Sequence, residues 1–233
     1  MTSVLFLGLI IGMQHALEAD HVAAVASIAA KETTVRRIVA HGSVWGLGHM
    51  VTLTVFAGGA VLFGTTLSAD LALGLEAAVG IMLVALGSHL LASLWKGRIH
   101  FHLHRHTDKT VHFHAHSHRG ENGDHTASAH HHDHPRGLPV RTFIVGMVHG
   151  MAGSAAILIL TATSIGDPAI ALASIALFAL GSICGMVALS ALIAIPLAYT
   201  ARSLTLGHWA LKGAIGCATV GLGVSLLVRL TVA

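Results

Sequence analysis

Six long apolar stretches, parted by four short polar connections and one long one, set the pattern of this chain. They run from Val4 to Ala30, Ile38 to Phe63, Leu71 to Trp95, Val140 to Ile165, Ala169 to Tyr199 and His208 to Leu230. Each is long enough, as a helix, to cross a hydrocarbon core that takes about 20 residues. Strands of a membrane barrel would show short alternating segments instead, so the pattern predicts helices.

The apolar pattern also repeats. Leu75, Ala78, Gly80, Val84, Leu86, Gly87, Leu90, Leu91 and Leu94 recur 136 residues later as Leu211, Ala214, Gly216, Val220, Leu222, Gly223, Leu226, Leu227 and Leu230. Gly12-Met13-Gln14-His15 matches Gly146-Met147-Val148-His149, and Met50-Val51 matches Met186-Val187. The expected fold is therefore an all-α membrane protein with six transmembrane helices in two inverted three-helix repeats joined by a His-rich cytoplasmic loop. Residues 1–95 form the first repeat, 96–139 the loop and 140–233 the second repeat. Because three is odd, the second half enters the membrane from the opposite side, a common build for transporters with a site near the midplane.

Composition strengthens this picture. Of 233 residues 54% are hydrophobic and 10% are charged, whereas a soluble domain carries about 25% charge. The net charge of +3 lies almost wholly in the connections, which makes it a topology signal and leaves nucleic acid without a footprint. Lys31, Arg36 and Arg37 follow the first stretch, and Lys96, Arg98, Arg105, Lys109, Arg119, Arg136 and Arg141 mark the long connection. Arg202 and Lys212 mark the fifth, while the second and fourth carry only Asp70 and Asp167. The positive-inside rule then puts both termini outside and the long loop in the cytoplasm of a bacterial inner-membrane protein. The N-terminus has no basic leader or small-residue cleavage site before His15, so the first helix is expected to stay. Cys184 and Cys217 lie in apolar runs and are expected to be small core residues without a disulfide.

The 20 histidines are the compositional anomaly, 13 of them between His100 and His134. They alternate at His100, His102, His104 and His106 and at His112, His114, His116 and His118, then cluster at His130, His131, His132 and His134. The segment has too few apolar residues for a core and is expected to be disordered without metal. Imidazole is a common ligand for nickel, cobalt, copper and zinc, so the loop reads as a metal buffer or sensor. A merely polar linker is the plainer alternative.

The remaining candidate chemistry lies inside the membrane, where an ionisable side chain costs at least about 2.5 kcal/mol and marks a functional site by default. His15, Glu18, Asp20 and His21 occur together halfway along the first stretch. At about 100° per residue, His15, Glu18 and His21 share one arc with Gln14, and Asp20 points some 140° from His15. On a regular helix Asp20 would orient an imidazole or bond another helix; to be a ligand itself it needs the helix to unwind or bulge between Glu18 and His21. His49 and His149, each flanked by glycine, are candidates to complete the set, with an imidazole hydrogen-bonded inside the bundle as the alternative.

The pattern His15-Ala16-x-x-Ala19-Asp20-His21 in an early membrane helix resembles the motif of the nickel/cobalt transporter family, and Leu47-Gly48-His49 resembles its second motif. The resemblance covers the whole membrane portion. It is closest to the shorter, urease-accessory-like members, with Gly146-Met147-Val148-His149-Gly150-Met151-Ala152-Gly153-Ser154 in the second half. It implies transport of Ni²⁺ or Co²⁺ and metal-site roles for His15, Asp20, His21 and His49. The His-rich loop is also similar to that of related efflux proteins, which carry a Pro-Gly-His variant where this chain reads Ala19-Asp20-His21, and uptake is favoured.

The functional expectation is a divalent-cation importer, not an enzyme, with Ni²⁺ or Co²⁺ as substrate and no organic cofactor. The bilayer and the ion are its partners, and a cytosolic metallochaperone is a candidate third. Rival readings are efflux of the same ions, an intramembrane metalloenzyme, and a metal-sensing accessory protein. The HxxHH and HExxH boxes that would mark the enzyme do not occur.

Overall fold

The computed structural model describes residues 2–32, 34–65, 68–96, 99–105, 111–117, 140–150, 162, 164–203 and 205–232. Four described helices are long and apolar enough to cross a membrane, Val35–Phe63, Ala69–Trp95, Pro168–Ala201 and Leu206–Val232. Shorter apolar helices precede the first of these and open the second half. The chain is thus a multi-pass membrane protein whose spans are all α-helical. Phe6, Val55, Leu62, Leu192 and Tyr199 stand exposed on the outer faces, as residues meeting lipid must. Cys184 and Cys217 are free and exposed as well. The expectation that they sit in the core is corrected: in a bilayer an apolar run can face lipid as readily as protein.

The first expected span is not one helix. α1 (Thr2–His15) stops, and α2 (Ala19–Ala29) starts afresh after a three-residue break. Leu17 N–H donates to the Gln14 carbonyl at 2.9 Å and Glu18 N–H to that of His15 at 3.1 Å, so the last turn of α1 tightens to i→i+3 bonding. Glu18 is extended, at φ −60° and ψ 147°, and its carbonyl accepts the N–H of Val22 to restart the helix. The break falls at Ala16–Glu18, ahead of Asp20 rather than around it.

α3 (Val35–Phe63) ends at Gly64, whose φ of 62° is the left-handed cap that glycine adopts without strain. α4 (Ala69–Lys96) completes the first half. The second half holds α5 (Val140–His149), α6 (Pro168–Ser203) and α7 (Thr205–Val232). Most of the expected fourth span beyond Gly150 lies outside the described residues.

Glycines set how the helices meet. A Cβ at Gly12 of α1 would strike the Phe178 carbonyl of α6, and one at Gly181 would strike the Leu9 carbonyl of α1. In the same way Gly146 of α5 faces the Trp45 carbonyl of α3, and Gly48 faces that of Phe143. In the third contact Gly80 meets Leu227 and the Gly223 carbonyl, and Gly216 meets Leu91 and the Gly87 carbonyl, which joins α4 to α7. Helix backbones approach this closely only where a side chain is missing. α2 lies among α3, α4, α6 and α7, tied to α7 by a 2.8 Å hydrogen bond between the Ser27 and Thr219 hydroxyls.

Part of the long connection is structured. β1 (Ile99–Arg105) pairs antiparallel with β2 (Val111–Ser117), setting His100 opposite His116, His102 opposite His114 and His104 opposite His112. This departs from the expected disorder, and the reason is the two-residue alternation of histidine with Phe101, Leu103 and Phe113, a strand period. His106, His118, His130, His131, His132 and His134 lie outside the described residues.

Candidate metal centre

The break between α1 and α2 is what assembles the site. His15 ends α1, Asp20 and His21 open α2, His49 lies midway along α3, and His149 ends α5. All four imidazoles are buried, none more than 4% exposed. His15 Nε2 lies 3.0 Å from His49 Nε2, and the His21 ring stands edge-on to His15, with centroids 4.3 Å apart, and to His149 at 4.4 Å.

The carboxylates fix the tautomers, since an ionised carboxylate can only accept. Glu18 Oε1 lies 2.9 Å from His15 Nδ1, so that nitrogen donates and His15 Nε2 keeps its lone pair. His49 Nε2–H must then be the donor to His15, which leaves the His49 Nδ1 lone pair free. Asp20 grips two rings at once: Oδ1 accepts from His21 Nδ1 at 2.9 Å, and Oδ2 accepts from His149 Nε2 at 3.1 Å. The nitrogens left over, His21 Nε2, His49 Nδ1 and His149 Nδ1, are buried with no hydrogen-bond partner among the described residues.

A buried polar atom without a partner costs about 1–3 kcal/mol, and a cation on His21 Nε2 and His149 Nδ1 would relieve two of these three. A ring held through one nitrogen by a carboxylate, with the other presented bare, is how metal-binding histidines are oriented. Two donor sets come together: His15, His21 and His49, and Asp20, His21 and His149, each with atoms within 4.8 Å of one another. His21 belongs to both. The 3.0 Å between His15 and His49 nitrogens is the edge of a coordination shell with bonds of about 2.1 Å at right angles.

The sequence-derived set therefore divides. His15, His21 and His49 converge directly, and His149 arrives from the second half through Asp20. Glu18 bonds His15 but its side chain is 47% exposed, and it joins neither donor set. Trp45 was not singled out from the sequence. It is fully buried, its ring stacks on His49 at 5.6 Å and stands edge-on to His21 at 5.5 Å, and its Nε1 has no partner among the described residues. Its one available signal is the spacing of four residues from both His41 and His49 on α3.

A second polar group lies at the end of the bundle bearing the α2–α3 connection. Glu32 is 3.4 Å from Arg37 Nη1 and 3.3 Å from His41 Nε2, and His41 Nδ1 is 2.8 Å from the Thr142 hydroxyl of α5. Burial and the nearby Arg141 hold the Lys31 ammonium below the usual lysine value.

Fold and site together define a multi-pass membrane protein built around a buried cluster of imidazoles and a carboxylate. The chain is 33% identical over 207 residues to the urease accessory protein UreH of Bacillus sp. (strain TB-90), covering 88% of this chain and 82% of that protein. It belongs to the nickel/cobalt transporter family, in the urease-accessory branch, and is not an enzyme. No protein-family profile and no solved structure matches it.

Proposed function

We propose that the chain carries Ni²⁺ or Co²⁺ across the bacterial inner membrane into the cytoplasm, through a site made by His15, His21, His49, Asp20 and His149. The observation that carries this reading is the convergence on His21 of two donor sets, with His21 Nε2 and His149 Nδ1 buried and without a hydrogen-bond partner among the described residues. Kinship with a urease accessory protein in the nickel/cobalt transporter family agrees with it.

The ion exchanges water for imidazole nitrogen as it enters the cluster, and the His15–His49 hydrogen bond gives way to two metal bonds. Both Nε2 atoms then give their lone pairs to the ion, so His49 moves its proton to Nδ1 or releases it. Asp20 keeps His21 and His149 aligned in either state and supplies negative charge against the +2 of the ion. Moving +2 inward gains about 4.6 kcal/mol per 100 mV of interior-negative potential, and the sequence has no Walker-type phosphate loop for ATP.

Six spans in two inverted halves suit this mechanism. The α1–α6 glycine contacts mirror those of α5–α3, and the α4–α7 contact exchanges Gly80 and Leu227 for Gly216 and Leu91. That reciprocity supports a two-fold axis in the membrane plane. It pairs Trp45 and Gly48 with Phe178 and Gly181, three residues off the register implied by matching Met50-Val51 to Met186-Val187. The His-rich segment receives the ion on the cytoplasmic side, with histidines at paired positions of β1 and β2.

The test is flux of radiolabelled Ni²⁺ and Co²⁺ into oriented proteoliposomes, with and without an imposed potential. Uptake driven by an interior-negative potential is the expected result. Movement only in the opposite sense would establish efflux, and no movement of either ion would end the transport reading.

A further inference from the structure

His41, Trp45 and His49 fall at i, i+4 and i+8 of α3 and so share one face, with about 12 Å between the outer two Cα atoms. A matching stripe runs down α2 and just past its end: His21, Val25, Ile28 with Ala29, and Glu32. The two stripes face each other. Between them lies a narrow cleft walled by Val25, Ile28, Ala29, Ile38, His41, Gly42 and Trp45, too tight as it stands to admit a water molecule.

Each end of the cleft carries metal-ligand chemistry. His21 and His49 stand at the inner end, where Trp45 closes it by packing on both rings. Glu32 and His41 stand at the outer end, with Oε1 and Nε2 3.3 Å apart. The walls between them are apolar except for Trp45, whose buried Nε1 has no partner among the described residues.

We propose that Glu32 and His41 form a second, weaker site for the transported divalent cation, which receives the ion from the buried cluster when Trp45 swings out of the cleft. This rests on the transport reading above. Two protein ligands, completed by water, suit a site the ion must leave again, since conduction needs binding weak enough to release. Thr142 adapts to the change. With the site empty, the Thr142 hydroxyl donates to His41 Nδ1 and Nε2–H faces Glu32 Oε1 at 3.3 Å; with a cation on Nε2, the ring carries its proton on Nδ1 and donates to the hydroxyl, which acts either way. Arg37 holds the other oxygen of Glu32 at 3.4 Å and competes with the ion, which favours release. An apolar constriction between two polar sites is a gate by dewetting, and Trp45 is its moving part.

The experiment pairs Co²⁺ flux in proteoliposomes with Co²⁺ titration of the purified full-length chain, followed by visible absorption. Glu32→Gln and His41→Ala should each slow the initial flux by about tenfold or more, the usual scale for a lost metal-site partner. The outer half-saturating Co²⁺ concentration and the first, tightest Co²⁺ equivalent should not change. Loop histidines are common to all the proteins, so a difference titration isolates the site: each variant should bind one Co²⁺ fewer than the parent in the weak phase, and Glu32→Asp should restore both readouts in part. Parental flux in Glu32→Gln overturns the proposal. Loss of the tight equivalent in that variant overturns it too, because the pair would then be holding the buried cluster together. If the parent chain moves no Co²⁺ at all, the transport reading fails, and the difference titration still decides whether the second site exists.

Discussion

The pair α4 and α7 and the cluster of α1, α2, α3 and α5 are built by opposite rules. In α4 and α7 nine positions of a twenty-residue window are identical between the halves, and the packing is reciprocal, with Gly80 on Leu227 and Gly216 on Leu91. Neither helix supplies a residue to the donor sets. Around the site the likeness between halves thins out: His15 has His149 as its counterpart, but Ala152 and Ser154 stand where Glu18 and Asp20 stand in the first half. A cation needs a particular donor set at one place, and two copies of it related by a two-fold would make two competing sites. The repeated sequence serves the scaffold, and departure from the repeat makes the centre.

The sharpest way to break this comparison is to remove the residue shared by both donor sets. His21→Ala should lower Ni²⁺ affinity and flux by at least about 100-fold, since loss of an outer partner alone costs 10–100-fold. Isothermal titration and proteoliposome flux check it, with a thermal melt in detergent to show that the variant folds. Retained tight binding would mean that neither set is the site. Asp20→Asn should follow at about 10–100-fold. The amide can accept from His21 Nδ1–H only by turning its NH₂ toward His149. His149 then has to move its proton to Nδ1, which takes away the lone pair a metal would use.

These two variants also mark where sequence reading stopped. His15, His21 and His49 were legible because ionisable side chains in an apolar run are costly and few. The partnership of Asp20 with His149 was not, because it depends on a break at Ala16-Leu17-Glu18, three good helix formers with no glycine or proline among them. Tertiary contacts decide there against local propensity. His15 and His21 must meet His49 of α3 while Ala16 packs beneath Gly185 of α6. The α4–α7 contact was not read, although the glycines repeated at Gly80, Gly87, Gly216 and Gly223 in both segments fit the close approach the structure shows.

A smaller effect should follow from disturbing the symmetric pair. A side chain at Gly87 would meet the Gly216 carbonyl at 2.8 Å and the Val220 nitrogen at 2.9 Å, backbone atoms that cannot swing away. Gly87→Leu should destabilise the folded protein by about 1–3 kcal/mol, the usual range for overpacking. Gly74→Leu on the same helix, where nothing lies within 4 Å, should not. Thermal unfolding in detergent separates the two. If the scaffold and the centre are as distinct as the comparison holds, the Gly87→Leu protein that remains folded should keep its parental Ni²⁺ affinity. A weakened affinity would show that α4–α7 packing sets the donor geometry after all.

Glu18 gives the smallest and most discriminating case. On a regular helix it would share the arc of His15 and His21; at the break its carboxylate is nearly half exposed and bonds His15 at Nδ1. Gln at this position keeps an oxygen that accepts from His15 Nδ1–H, so the tautomer survives and only the negative charge is lost. A charge beside a partly exposed pair is worth about 1 kcal/mol or less, so Glu18→Gln should change Ni²⁺ affinity by no more than about fivefold. Glu18→Ala removes the acceptor as well. It frees His15 to take the other tautomer, with Nε2 protonated and unable to bind metal, and should cost several times more. Measured side by side by calorimetry, equal losses in the two variants would mean that Glu18 acts through its charge on the ion and belongs to the metal's own shell. A small loss in Gln and a larger one in Ala would place its role in holding the His15 ring, as the 2.9 Å bond to Nδ1 implies.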